Sequence, residues 1–337
     1  LITILVAMGV GALFIVAIGE NPIDAYAALF RGAFDGELRL GTTLAGFTPL
    51  LLTSIAFAVA AKAGAFNVGV EGEVFLGGIT AAYIGINWTF LPKPALYVAC
   101  FVGAMVVAAA WAFIPAVLRA YYNVNEVCTT ILMNTVALYI TSYLVSGPMS
   151  AGTANAQSLP VTVRLYQFMK PSSVNVGIFI AAITVIVIIF MLQKSSWGYK
   201  IRTVGLNPTH ADYVGIDSKK VFVGAMMLSG MLGGMAGCIE VLGVHGYFLN
   251  NFATGLGSNG MLAALIVKNN MVSTPFMAFF LAVLKSGAMG MQQSTGVPKS
   301  LVDTITAVFI IIATMETAFQ FTKKRKKKTE EKKEDKA

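Results

Sequence analysis

Seven ionisable side chains lie within apolar stretches of this 337-residue chain: Glu71, Glu73, Glu126, Glu240, Lys285, Asp303 and Glu316. Such groups are costly at membrane depth and by default suggest function. Glu126, Asp303 and Glu316 fall near the ends of their stretches, where water or headgroups reach them, and read as interfacial charges. Glu71 and Glu73 are different, because they sit among glycines in Phe66-Asn67-Val68-Gly69-Val70-Glu71-Gly72-Glu73. Carboxylates suit a helix N-terminus, whose dipole favours negative charge, so a capping turn explains part of this pattern. The glycines equally permit non-helical backbone, which is tolerated at membrane depth only when buried in protein or lining a cavity. Both readings stand at this point.

A second interruption runs from Asn250 to Gly260. Its Gly255-x-Gly257-x-x-Gly260 spacing matches a dinucleotide fingerprint, but no strand precedes it and no acid follows about 20 residues on, so that reading fails. Paired, glycine-broken segments in two halves of a chain are the pattern of a transporter built from repeats, with substrate between them. Third, Asn123, Glu126, Thr130 and Asn134 follow helical spacing and form one polar stripe. That stripe either bonds neighbouring helices or lines a polar path.

Enzymatic chemistry finds little support. Ser258 has no evident histidine partner, the two histidines (His210 and His245) lie far apart, and the three cysteines sit in apolar runs without zinc spacing. No Gly-x-x-x-x-Gly-Lys-Ser/Thr sequence is present for ATP phosphates. Nine of the 24 Lys and Arg lie after residue 322, so the net charge of +8 is mostly a tail effect and describes no basic face for nucleic acid.

The elements that position these residues are membrane helices. Hydrophobic residues make up 56% of the chain before its 33 glycines are counted, against about 45–50% with glycine included for a soluble domain. Charged residues are 12%, about half the usual share. Runs near 20 apolar residues cross a bilayer. The sequence therefore predicts an all-α polytopic membrane protein of about ten transmembrane helices in two weakly similar halves. The expected spans are 1–19, 41–61, 68–86, 94–118, 126–146, 174–192, 220–244, 257–268, 272–291 and 301–319. The eighth is short enough to be re-entrant, and the glycines of the seventh, Gly230, Gly233, Gly234 and Gly237, suit close helix packing.

Counting Lys and Arg between spans places both termini in the cytoplasm. The chain opens on Leu1 inside an apolar run, so its natural start is expected upstream, and the first span reads as a retained helix. Segments 20–40 and 147–173 are expected as long outer loops and 193–219 as a long inner one. The Lys/Glu-rich tail, 320–337, is expected to be disordered.

The inner loop contains Gly198-Tyr199-Lys200-Ile201-Arg202-Thr203-Val204-Gly205-Leu206-Asn207-Pro208-Thr209-His210-Ala211-Asp212-Tyr213-Val214-Gly215-Ile216. Physically this is a turn at Asn207-Pro208 followed by a short amphipathic segment suited to docking. It resembles the coupling loop of bacterial ABC importer permeases that serve branched-chain amino acids, simple sugars and nucleosides. Phe66 to Gly72, the Asn125-Glu126-Val127 start of the fifth span with Asn134, and Gly257 to Ala264 resemble the same family. The stretch from Asn125 to Asn134 looks most like its nucleoside branch, the guanosine-type permeases. Glu73 departs from the pattern, standing where many relatives would carry Gln.

The resemblance, which covers 1–319 as one permease domain, implies an importer subunit of a bacterial cell membrane rather than an enzyme. It implies no cofactor on this chain, with ATP and Mg on a separate cytoplasmic ATPase. Further implied partners are a second related permease, as a heterodimer rather than a homodimer, and an extracellular substrate-binding lipoprotein. The substrate path would run among Asn67, Glu71, Glu73, Asn134 and Asn259, with Asn125 and Glu126 nearer its cytoplasmic end. Within the coupling loop 193–219, Gly205, Asn207, Ala211, Gly215 and Ile216 would seat in the ATPase. The alternatives are a permease for ribose or another simple sugar and, with Glu71 and Glu240 as coupling carboxylates, an ion-driven secondary transporter.

Overall fold

The computed structural model describes residues 2–296 together with residues 300, 303, 304 and 307. Among these, every regular element is helical, as expected where lipid leaves the backbone no partner but itself. The chain divides into two compact units, Leu1–Asp35 with Val283–Ala337, and Gly36–Ala282.

The smaller unit holds α1 (Ile2–Ala17), α2 (Pro22–Phe34) and the later turns of α12 (Thr274–Thr295). Asn21 starts α2 by accepting a hydrogen bond from the Ile23 N–H at 3.0 Å, with Pro22 in the first turn, where its missing N–H costs nothing. The two helices meet at 112°. Ile15, Ala25, Leu29, Ala288 and Met291 form their shared core, and a Cβ on Gly32 would come within 2.7 Å of the Gly290 Cα. The expected first outer loop, 20–40, is thus largely helix.

In the larger unit, α3 (Gly36–Lys62) and α10 (Ser218–Ile239, continued by a π-helical turn at Glu240–His245) are the buried centre. Around them stand α4 (Val70–Asn87), α5 (Lys93–Tyr122), α6 (Glu126–Ser146), α7 (Gly177–Lys194), the short α8 (Ser196–Leu206) and α9 (Pro208–Tyr213), and α11 (Leu256–Ile266). The glycines of α10 do what their spacing predicts. A Cβ on Gly230 would lie 2.7 Å from the Ala108 carbonyl of α5, so the backbones touch. Contact of this kind, rather than exclusion of water, holds membrane helices together. Leu52, Ile55 and Phe57 of α3 are fully buried; truncating one would cost about 2–5 kcal/mol.

Six of the described helices are long and apolar enough to cross a membrane, namely α3, α5, α6, α7, α10 with its π turn, and α12. A seventh is counted if α1 and α2 form one broken span. The described residues do not confirm the expectation of about ten. The 11 residues of α11 reach only about 16 Å, half of a hydrocarbon core. The α4 helix starts inside the bundle rather than at its end, and the first predicted span bends away at residues 18–21. The predicted span 301–319 and the tail 320–337 lie outside the described residues, apart from 303, 304 and 307.

Residues 147–173 form a strap across one end of the larger unit. Its Val161 and Leu165 N–H groups donate to Gly246 and Leu242 carbonyls, each at 2.9 Å. The Thr162 hydroxyl donates to Gly85 at 2.6 Å and the Gln167 amide to Gly243 at 2.8 Å. Gly205 packs against the carbonyl of Lys62, which sets α8 and α9 at the other end of α3.

Candidate functional site

A helix that begins inside a membrane protein leaves its first N–H groups without partners. At the start of α4 two of those groups, the Gly69 and Gly72 N–H, are satisfied by side chains the sequence had singled out. The Asn134 carboxamide accepts from the Gly72 N–H and donates to the Val68 carbonyl, both at 2.8 Å. Asn67 is fully buried; its oxygen accepts from the Gly69 N–H at 2.9 Å. Its amide donates to Glu73 Oε1 and to the Ser229 hydroxyl of α10, each at 2.9 Å. The Thr130 methyl and Cβ pack at Gly69. Of the polar stripe, Asn134 therefore bonds a neighbouring helix break, while Asn123 and Glu126 bond Arg119 of α5.

Asn134 is eight residues into α6, about 12 Å along its axis, so the break lies well within the bundle. The second break descends from the strap end. The Ser142 hydroxyl donates to the Asn250 carboxamide oxygen at 2.8 Å, and Phe252 stacks edge-on against Phe75 at 5.7 Å. Gly255 then turns the chain with φ +80°, a conformation that favours glycine, and α11 begins. Gly257 in its first turn lies directly on α4, where a Cβ would come within 2.6 Å of the Glu71 N–H nitrogen.

The two helix N-termini thus meet at Glu71 and Gly257. There Ser258 approaches the Glu71 carboxylate, Oγ to Oε2 3.4 Å, in an exposed contact. Asn259, half-buried, donates to the Gly255 carbonyl, and Asn251, Thr254 and Ser258 are exposed. A carboxylate, a hydroxyl and amide groups gathered beside two helix N-termini can exchange hydrogen bonds with a neutral, hydroxyl-rich solute.

The predicted path residues therefore separate. Glu71 and Asn259 stand at the exposed meeting point. Asn67, Glu73 and Asn134 are spent on the fold: Glu73 is 1% exposed, and its Oε2 has no hydrogen-bond partner among the described residues. Asn125 and Glu126 lie at the start of α6. Asn125 caps that helix by accepting from Val127 N–H at 2.9 Å, while Glu126 pairs with Arg119 at 3.1 Å. Ser258, one position from the predicted Asn259, was not among the predicted path residues, yet it is the side chain that contacts Glu71.

At the α8–α9 end, Asn207 caps α9 by accepting from the His210 N–H at 3.0 Å. Asp212 accepts from both the N–H and hydroxyl of Ser218 at 3.0 Å. Asp217 caps α10, and the Lys220 N–H at 3.0 Å holds its carboxyl below the ordinary range. Of the predicted coupling residues, Gly205 packs on α3, Gly215 turns the chain with φ +81°, and Ala211 and Ile216 face the core. The side chains presented outward are Tyr199, Leu206 (88% exposed), Tyr213 (86%) and Val214.

Helix α6 is less apolar than α5 or α7 yet the least buried of the three, and its exposed residues include Thr135, Tyr139 and Tyr143.

The profile of the family described as "Branched-chain amino acid transport system / permease component" matches residues 39–314. A guanosine ABC transporter permease protein of Bacillus subtilis is 33% identical over 337 residues, covering 97% of this chain and 96% of its own. A glucose ABC transporter permease protein of Haloferax volcanii is 32% identical, covering 92% of this chain and 85% of its own. A nucleoside ABC transporter permease protein of Lactococcus lactis is 31% identical, covering 92% and 88%. No solved structure matches the chain.

Proposed function

The chain belongs to the family of permease components of branched-chain amino acid transport systems, an integral membrane family, and on that premise we propose that it carries nucleosides across the cell membrane as one subunit of an ATP-driven importer. The observation that carries this reading is the meeting of two interrupted helices at Glu71 and Ser258. There a carboxylate and a hydroxyl stand free of the bonds that bind Asn67, Glu73 and Asn134 into the fold. Binding at such a point is polar but shallow, as passage requires. The guanosine and nucleoside permeases similar over nearly the whole chain support the choice of substrate.

In this reading the strap faces outside and receives substrate from an extracellular binding protein, and both termini are cytoplasmic. The exposed face of α6 packs on a second, related permease. The chain itself binds no nucleotide; ATP and Mg belong to a cytoplasmic ATPase that seats Leu206, Tyr213 and Val214, which the fold supports from behind with Ala211 and Ile216.

The test is uptake of labelled guanosine in cells expressing the transporter genes, with and without ATP depletion at constant proton gradient. The expectation is uptake that depends on this gene, fails with ATP, and is competed by nucleosides rather than glucose or ribose. Replacing Leu206 and Tyr213 together by Glu should lower uptake at least about tenfold. Because both side chains are exposed, stability should move by no more than about 1 kcal/mol for the pair. Uptake that follows an ion gradient without ATP contradicts the proposal.

A further inference from the structure

Beyond the meeting point lies a second site. A cavity of about 420 Å³ opens between the later turns of α4, the end of α6 and the strap. That volume is within the range of sites that hold small molecules, about 300–1,000 Å³. Its walls are of two kinds. Ile79, Met149 and Leu159 are apolar, and the Tyr83 ring, 51% exposed, stands beside them. Thr80 and Asn87, also lining the cavity, carry a hydroxyl and an amide.

The cavity is built rather than incidental. Met149 is fixed by its N–H to the Leu144 carbonyl at 2.8 Å. Beside Leu159, Ser158 donates its N–H to Phe248 at 2.9 Å and its hydroxyl accepts the Phe248 N–H at the same distance. The Asn87 amide is held by one N–H to the Tyr83 carbonyl at 2.9 Å, which leaves an oxygen acceptor and a second N–H donor. A site with fixed walls loses little freedom when it fills.

We propose that this cavity is a receiving site for the nucleobase, in which the base stacks on Tyr83 between Ile79, Met149 and Leu159 and turns its polar edge to Asn87 and Thr80. The inference rests on the nucleoside reading and deepens it. A nucleobase is flat, apolar on its faces and polar on its edge, and the two kinds of wall match those two kinds of surface. Stacking on an aromatic ring tolerates any base because every base has a π face, and an amide can exchange paired hydrogen bonds with a base edge. Tyr83 lies twelve residues after Glu71, about 18 Å along α4. The base would therefore be taken up at the strap end before the substrate reaches Glu71 and Ser258.

The experiment compares initial uptake of labelled guanosine and uridine, at saturating concentration, in cells expressing the whole transporter with wild-type or variant chains. Tyr83→Ala should lower guanosine uptake about tenfold, and uridine uptake less, because the smaller base has less ring to stack. Tyr83→Phe should keep both within about twofold. Leu159→Trp, which fills the cavity from the strap side, should also lower guanosine uptake about tenfold, and it decides the matter if Tyr83→Ala is poorly produced. Wild-type cells that take up neither nucleoside overturn the parent reading and this one together. Wild-type uptake with Tyr83→Ala and Leu159→Trp unaltered, or with guanosine and uridine reduced equally, overturns the receiving site alone.

Discussion

The two interruptions of the helical bundle use the same kinds of residue to opposite ends. Around residues 66–73, Asn67 and Asn134 are consumed by backbone groups of the break, and Asn67 also reaches Glu73 and Ser229. Around residues 250–259, the chain is anchored near the strap by Ser142 and Ser158, and Asn251, Thr254 and Ser258 are left exposed. The first break is a fixed wall; the second leaves polar side chains exposed. A polar residue at membrane depth thus announces that something must be satisfied, and only its partners decide whether that something is backbone or substrate.

The contrast predicts a graded set of losses. Asn134→Ala should be the most damaging, because it leaves the Gly72 N–H and the Val68 carbonyl without partners. At about 1–3 kcal/mol for each, the total is about 2–6 kcal/mol, read as a fall in the thermal unfolding midpoint of the purified complex. An unchanged midpoint would break the claim that the first break is held from α6. Glu71→Ala should leave that midpoint nearly in place while lowering guanosine uptake about tenfold, equivalent to about 1.4 kcal/mol. A large loss of stability instead would move Glu71 to the fixed wall. Smallest is Glu73→Gln, which retains the bond from Asn67 and removes a carboxylate from a buried site. Its stability should stay within about 1 kcal/mol of wild type or rise, and uptake should persist; loss of uptake at normal stability would return Glu73 to the path.

Much of this was legible in residue spacing. Thr130 and Asn134 of the predicted stripe mark the side of α6 that meets α4, while Asn123 ends α5 and is exposed; the glycines of α10 marked its contact with α5. What spacing did not supply was the partner across the contact, since Asn134 bonds backbone 62 and 66 residues away. Glu71 and Glu73 were taken together, yet two positions on a helix are about 200° apart, so one carboxylate had to face away from the other. Helix α2 was read as loop, although nine of its 13 residues are hydrophobic and Asn21-Pro22 is a helix-start signal. In the α8–α9 segment the predicted Ala211 and Ile216 are buried, whereas Leu206 and Tyr213 are exposed; spacing alone did not separate the two sets.

The most direct measurement is substrate protection of introduced cysteines. In the assembled transporter, with exposed Cys128 replaced by Ser, Ser258→Cys and Asn67→Cys would each be treated with a small thiol reagent, with and without guanosine. The account predicts that Ser258→Cys reacts and is shielded by guanosine, while Asn67→Cys, fully buried in the fixed wall, stays inert. Equal reaction of Ser258→Cys with and without guanosine would contradict a substrate path at the meeting of the two helices.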